Sequence, residues 1–411
     1  MSDFLRQFLP SLNSSRSART GWNASACNSS VRAALVFSLL ALLAGCSHFR
    51  PASSAEYVYV SVKHMYLRDR VAVVANRVAE VKNGERLTVL QHIPRFMKVK
   101  TPDGAVGWIE EHAVIDQSEY DAFQNLSKQH ASQTPVATAV LYNELYMHLT
   151  PGRTTQRFTL LAPNTKVAML ERASVPRYAA SNVLGLPTAP IKAPPARHEK
   201  VQKESFESRF APAVPMEDWW LARDHAGHTG WMLARDFQVD VPDDVAQYAE
   251  SERMVGAYVL RTVSDPDSGK PNGQVPEYLT VLTPYKQGLP FDFDQVRVFT
   301  WDTRRHRYGT AFREHDIVGF FPVTVTPGNP NDPNGPEPTF SFQMAEGDNV
   351  SLDPETGRPH AAVLKTVTYR MEGNLVRPVL PGGAKFASKG NGAVRLRATH
   401  PGRHHRRHPH H

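Results

Sequence analysis

Along the chain, apolar and polar positions alternate in short runs far more often than they recur at helical spacing. Such alternation over four to eight residues, broken by turn residues, predicts strands with one buried face. YLRDR near residue 66, ERLTVL at 85–90, FMKVK at 96–100 and VGWI at 106–109 read this way, separated by Asn83-Gly84 and Asp103-Gly104 turns. From 255 to 380 eight more segments follow: VGAYVLRTV, EYLTVLTP, QVRVFTW, RYGTAF, IVGFFPVTVT, PTFSFQM, AVLKTVTYRM and NLVRPV. Helical spacing behind an aspartate cap is confined to DQSEYDAFQNLSKQHA at 116–131 and DVPDDVAQYAESERM at 240–254, which predict connecting helices. No alternation of strands with helices occurs, which excludes a nucleotide-binding parallel sheet.

The first strands recur. MYLRDR at 65–70 matches LYMHLT at 145–150, and VKNGERLTVL at 81–90 matches LAPNTKVAML at 161–170, both at an offset of 80 residues. FMKVKTPDGAVGWI at 96–109 matches WWLARDHAGHTGWM at 219–232 at an offset of 123, pairing Phe96 with Trp219, Gly107 with Gly230 and Trp108 with Trp231. The difference is a 43-residue insertion in the second copy at 173–215. Its Pro, Ala and Lys/Glu content predicts a long mobile loop with a short helix around 199–208.

The opening YLRDR, the Lys-Asn-Gly turn of KNGERLTVL and the closing DGAVGWIEEHAVI resemble the bacterial SH3-like (SH3b, SH3 type 3) domain, a small β-barrel of cell-envelope proteins. In the second copy His148 stands where the first has Arg68. The fold class expected is mainly β. Two small SH3-like barrels at 57–116 and 136–240 precede a β-sandwich or barrel at 255–381, with helical linkers at 117–135 and 241–254. Glycine before tryptophan lets the backbone twist at a barrel corner while the indole covers an open end. Trp108 and Trp231 therefore pack the barrels, or else they line grooves for a peptide or glycan together with Tyr66, Tyr146 and Trp219.

Ahead of the modules, about 32 polar residues with Arg6, Arg16, Arg19 and Arg32 lead into AALVFSLLALLAG, Ala33 to Gly45. That run is too short to span a bilayer, which takes about 20 residues, and it has the form of a secretory signal. A start near Val31 would give a leader of ordinary length. Leu43-Ala44-Gly45-Cys46 resembles the bacterial lipobox. The resemblance implies a signal peptide at 1–45, a diacylglyceryl group on Cys46, a linker at 46–56, and, with Ser47 in place of aspartate, the periplasmic face of the outer membrane. Cys27 would leave with the leader, so the mature chain would hold one acylated cysteine and no disulfide.

Charge then changes the picture of the ends. The total is +7, of which the leader carries +3 and residues 382–411 carry +7, leaving −3 for 46–381. A mildly acidic body implies no nucleic-acid partner. The Gly- and Pro-rich tail predicts disorder. Its last twelve residues, HPGRHHRRHPHH, could meet an anionic surface or loosely bind metal through His404, His405 and His408.

Candidate chemistry is sparse. DPDSGKPN at 265–272 and DPETGRPH at 353–360 share a turn grammar, with a cation held by Asp265, Asp267, Asp353 and Glu355 as the sharper alternative. Asp224-His225 with His228, and Glu314-His315-Asp316, both in expected turns, lack the spacing of a metal site. No nucleophile elbow, phosphate loop or paired-glycine motif is present, so no catalytic residue and no cofactor is assigned. The leading function is a non-catalytic envelope lipoprotein whose modules bind peptidoglycan, a glycan or a protein partner. The alternatives are a structural or assembly lipoprotein docking through its C-terminal β domain, and a hydrolase in that domain.

Overall fold

The computed structural model describes residues 55–177, 205–329, 331 and 337–379. The leader with Cys27, Cys46 with the linker up to residue 54, residues 178–204 of the insertion, and the tail with His404, His405 and His408 lie outside the described residues. Among the described residues no helix is long and apolar enough to cross a membrane.

The protein is mainly β. The first module holds β1 (Tyr57–Val60), β2 (His64–Arg68), β3 (Arg77–Lys82), β4 (Arg86–Ile93), β5 (Phe96–Lys100), β6 (Val106–Glu110) and β7 (Val114–Asp116). They form one antiparallel sheet in the order β3-β2-β6-β5-β4-β1-β7. The second module repeats this with β8 (Ala137–Leu141), β9 (Leu145–His148), β10 (Arg157–Leu161), β11 (Lys166–Pro176), β12 (Met216–Arg223), β13 (Thr229–Leu233) and β14 (Phe237–Val239). Its order, β10-β9-β13-β12-β11-β8-β14, is the same strand for strand. Among the described residues no strand pair closes either sheet.

Close approach explains the recurring Gly-Trp. A Cβ on Gly107 would lie 2.7 Å from Leu67 Cβ, and one on Gly230 would lie 2.5 Å from Met147 Cβ and 3.2 Å from the His148 carbonyl. The opening strand crosses the closing hairpin at those points, and only glycine leaves room. Twist at a barrel corner is therefore the lesser part of the explanation.

Helix α1 (Gln117–Gln129) starts on a capping box, the Asp116 carboxylate accepting from Glu119 N–H while the Glu119 side chain accepts from Asp116 N–H. It packs Tyr120 flat on Tyr59 at 3.7 Å, with Phe158 edge-on to both and Phe123 beside them, so the helix seals the two modules together. Asn83, a turn residue in the sequence reading, also clasps this junction. Its amide donates to the Phe158 carbonyl at 2.8 Å and accepts from Leu160 N–H at 3.1 Å.

The second helix is shorter than its spacing suggests. α2 covers only Asp243–Ala246 before a 3₁₀ turn, and Glu250 takes φ +58. Residues from Glu252 are drawn into pairing with Pro284 and its neighbours, so tertiary hydrogen bonding overrides local helical spacing.

The third region is a seven-stranded antiparallel meander in chain order rather than two facing sheets. Its strands are β15 (Glu252–Ser264), β16 (Gln274–Pro284), β17 (Phe293–Asp302), β18 (Arg307–Thr326), β19 (Thr339–Ala345), β22 (Leu364–Glu372) and β23 (Leu375–Pro378), beside a ribbon of β20 (Val350–Leu352) and β21 (Pro359–Ala361). RYGTAF and IVGFFPVTVT are one long strand. The Glu314-His315-Asp316 stretch lies within it and is not a turn: Glu314 and His315 pair with Val296 and Gln295, and the register then shifts in a bulge between His315 and Gly319, with Asp316 at φ +61.

The second module and the meander share one core, in which Leu141, Met147, Trp220, Phe293, Val298 and Phe342 belong to the same buried cluster. A division at 240 would cut through it. Trp220 meets Phe321 edge-on at 5.8 Å. Arg172, buried, donates to Asp218 and Asp292 at 3.2 Å each, to Ser174, and to the carbonyls of Leu289 and Phe291. The insertion is partly regular. Residues 173–176 prolong β11 in register with 216–219, and Phe206 and Phe210 in a 3₁₀ turn pack on Phe291. Gly357, at φ +69, brings the DPETGRPH loop onto this extension, its carbonyl accepting from Ser174 N–H at 2.8 Å.

Candidate functional site

Strand alternation sorts the first module into two faces. On β6, Gly107 and Ile109 point inward while Trp108 and Glu110 point outward. On β5, Met97 and Val99 are buried while Phe96 and Lys98 face out. Register then gathers the outward residues: Trp108 lies between Lys98 and Arg68, and Glu110 lies opposite Phe96. The result is a face of aromatic surfaces rimmed by both signs of charge. Glu110 takes Arg68 at 3.6 Å and His112 at 3.4 Å, and His92 meets Glu111 at 3.6 Å. Arg95, Phe96, Glu110, Glu111 and His112 line a shallow cavity of about 380 Å³ at its edge.

The same register in the second module carries different side chains. Trp231 stands for Trp108, Trp219 for Phe96, Leu221 for Lys98, Leu233 for Glu110 and His148 for Arg68. Every one of them is buried, with Trp219 at 2% and Trp231 at 6% exposure. Leu126 of α1 and Val175 of the extended β11 close over them. His148 lies edge-on to Trp219 at 5.1 Å with Nδ1 3.0 Å from Thr155 Oγ1. Burial, and then Arg157, push its pKa down, which keeps the imidazole neutral.

Of the five aromatic residues singled out in the sequence, Trp219 and Trp231 are packing residues with no open groove beside them. Tyr66 and Tyr146 are half-buried, and each carries a guanidinium over its ring, Arg77 at 4.3 Å and Arg157 at 4.7 Å, themselves related by the 80-residue repeat. Trp108 is half-buried as well, on the outward side of β6. Arg68, Phe96, Lys98, Glu110 and His112 were not singled out. Their signal is the polar content of the outward positions in the first copy, Lys98 and Glu110 against Leu221 and Leu233 in the second.

The remaining polar clusters hold turns. Asp265 accepts from Trp301 Nε1 at 2.6 Å and lies 2.9 Å from His306 Nδ1. Asp353 accepts from the backbone of Glu355 and Thr356. These hydrogen bonds hold both carboxyls below their usual range and account for the paired loops without a cation. Among the described residues no group of three or more His, Cys, Asp or Glu is assembled to hold a metal. Burial, and then Glu252, push Asp294 up to about 7.

Asp224 and His228 pin the β12–β13 hairpin at 2.8 Å. The hydrogen bond to Asp224 raises His228, and burial opposes ionisation of Asp224, yet His228 outweighs it and lowers that carboxyl. The histidine contribution is full below its unfolded value of about 6.5 and fades as pH rises through the higher folded value, while the aspartate contribution fades in acid. We expect the melting-temperature gap between the parent and His228→Gln to be widest at about pH 5–6 and to narrow above neutrality. A gap independent of pH would remove the pair.

No family model matches the chain, and no curated protein matches it. The solved structures it is similar to include NlpC2 from Trichomonas vaginalis, at 10% identity over 53% of this chain and 61% of that one, with a TM-score of 0.14. An NlpC/P60 family protein from Bacillus cereus shows 11% identity over 47% of this chain and 62% of that one, with a TM-score of 0.20. NlpC1 from Trichomonas vaginalis shows 8% identity over 76% and 87%, with a TM-score of 0.14. The chain spans about three-fifths of the length of the first two.

Proposed function

We propose that the chain is a non-catalytic, lipid-anchored envelope protein that binds peptidoglycan through the outward face of its first SH3-like module. The observation that carries this reading is the contrast between the copies. One register position holds Trp231 buried under a hydrophobic cover and Trp108 half-buried on an outward face, with Phe96, Lys98, Arg68 and Glu110 around it. An indole and a phenyl ring supply stacking faces for sugar rings, and the flanking cations and carboxylate suit the ionised ends of a short peptide. A glycan strand alone would use the rings without the charges, and an envelope protein partner is the remaining occupant. The second module and the meander, fused through one core, act as the rigid body that carries this face. The anchor at Cys46 and the outer-membrane location belong to the same proposal, as does contact of the basic tail with an anionic surface.

The test is co-sedimentation of the full chain with purified sacculi. Trp108→Ala is expected to weaken retention about tenfold, the scale of losing one central aromatic contact. Trp231→Phe, a buried change, should leave retention intact. Equal retention of Trp108→Ala and the parent would sink the assignment of this face.

A further inference from the structure

The loop between β2 and β3 of the first module, RVAVVAN at 70–76, presents three valines to solvent: Val73 at 103%, Val74 at 84% and Val71 at 41% exposure. Single exposed apolar residues are ordinary, but a cluster at one loop tip is not. The tip is also held in shape from below. Asp69 N–H donates to the Asn76 carbonyl at 3.1 Å, Asn76 N–H and Nδ2 donate to the two Asp69 carboxylate oxygens at 3.0 Å each, and Arg70 Nη2 adds a third donor at 3.1 Å. Arg77 is fixed at the far end by its stack on Tyr66. The corresponding loop of the second module, TPGRTTQ at 150–156, is polar, and its Arg153 is tied to Glu217 at 2.6 Å. The valine tip is thus a feature of one copy, with its base pinned by hydrogen bonds.

We propose that the Val71–Val74 tip inserts into the interfacial layer of the bilayer to which the chain is anchored. Charge fits this occupant through Arg77 at the base of the valines, Arg70 being already paired with Asp69, while no carboxylate occurs among residues 70–79 themselves, a pattern compatible with an anionic lipid surface. Length fits it as well. Tyr57 lies eleven positions after Cys46, a reach of at most roughly 40 Å, so an acylated Cys46 would keep the start of the first module within that distance of the membrane. The inference rests in that part on the lipid anchor of the proposed function. Insertion of a short apolar loop supplies a second, reversible membrane contact beside the acyl chains and fixes the orientation of the module that carries Trp108.

The test uses the full chain with Cys27→Ala, Cys46→Ala and Val73→Cys, labelled at position 73 with an environment-sensitive dye. It is mixed with phosphatidylethanolamine–phosphatidylglycerol vesicles. Dye at 73 should move to bluer emission and be quenched by shallow spin-labelled lipid, while the same dye at exposed Asn125→Cys on α1 stays in water. Adding Val71→Ser and Val74→Ser should at least halve the blue shift at 73. A dye at 73 that stays in water, equal shifts at 73 and 125, or a shift indifferent to the serine substitutions would each overturn the proposal. The chain tested has no acyl acceptor, so this result is independent of the anchor. Uptake of radioactive fatty acid by cells making the intact chain, with Cys46→Ala as blank, tests the anchor by itself.

Discussion

Arg172→Ala is expected to lower the stability of the second module and the meander together by about 3–5 kcal/mol, the cost of breaking a buried pair by removing one partner. The guanidinium is 5% exposed and serves two carboxylates that are themselves nearly buried, Asp218 and Asp292. Asp292 already resists ionisation through burial, and Arg172 is the charge that offsets it. Without the arginine, both carboxylates lose their countercharge, although Ser174, Gly288 and Phe321 still donate to them, and the carbonyls of Leu289 and Phe291 lose the guanidinium donor. Urea unfolding monitored by tryptophan fluorescence checks this. Arg172→Ala combined with Asp292→Asn should recover part of the loss, since it removes a stranded charge. A loss below about 1 kcal/mol, the range of an exposed pair, would show that the site is wetter than its geometry indicates.

Trp220→Ala is expected to cost a similar 3–5 kcal/mol as a large-to-small change in a closed core, and to do so across a boundary. Trp220 is 2% exposed, belongs to β12 of the second module, and packs on Phe321 of the meander within one continuous cluster. Calorimetry should therefore record one transition for both parts, moving down as a unit. Separate transitions, with only one displaced by Trp220→Ala, would mean that the second module and the meander fold independently.

The difference between the two modules marks how far the sequence was legible. The repeat and its strands could be read because alternation, the turn glycines and Gly-Trp are local signals, and helix α1 announced itself through Asp116 and the apolar spacing behind it. Which tryptophan is the less buried could not be read from Gly-Trp itself, since Gly107-Trp108 and Gly230-Trp231 are the same words. The deciding residues are Leu126, on a helix more than a hundred positions before Trp231, and Val175, on a strand that looked like the start of a loop. Burial of Trp231 is a tertiary event. Its faint trace was in the outward positions, where Lys98 and Glu110 need water and Leu221 and Leu233 do not. The second helix failed for a related reason: the pairing of Glu252 with Pro284 competes with helical spacing and wins. Arg172 carried no local signal, because its partners lie up to 120 residues away.

Photo-crosslinking in growing cells tests the central claim most directly. A photoreactive residue replacing His112, at the rim of the Trp108 face, should yield adducts whose mass, after digestion of the wall, includes muropeptide, while the same residue at Asn125 on α1 yields none. No muropeptide adduct at 112, or adducts at 125 in equal amount, would contradict the account.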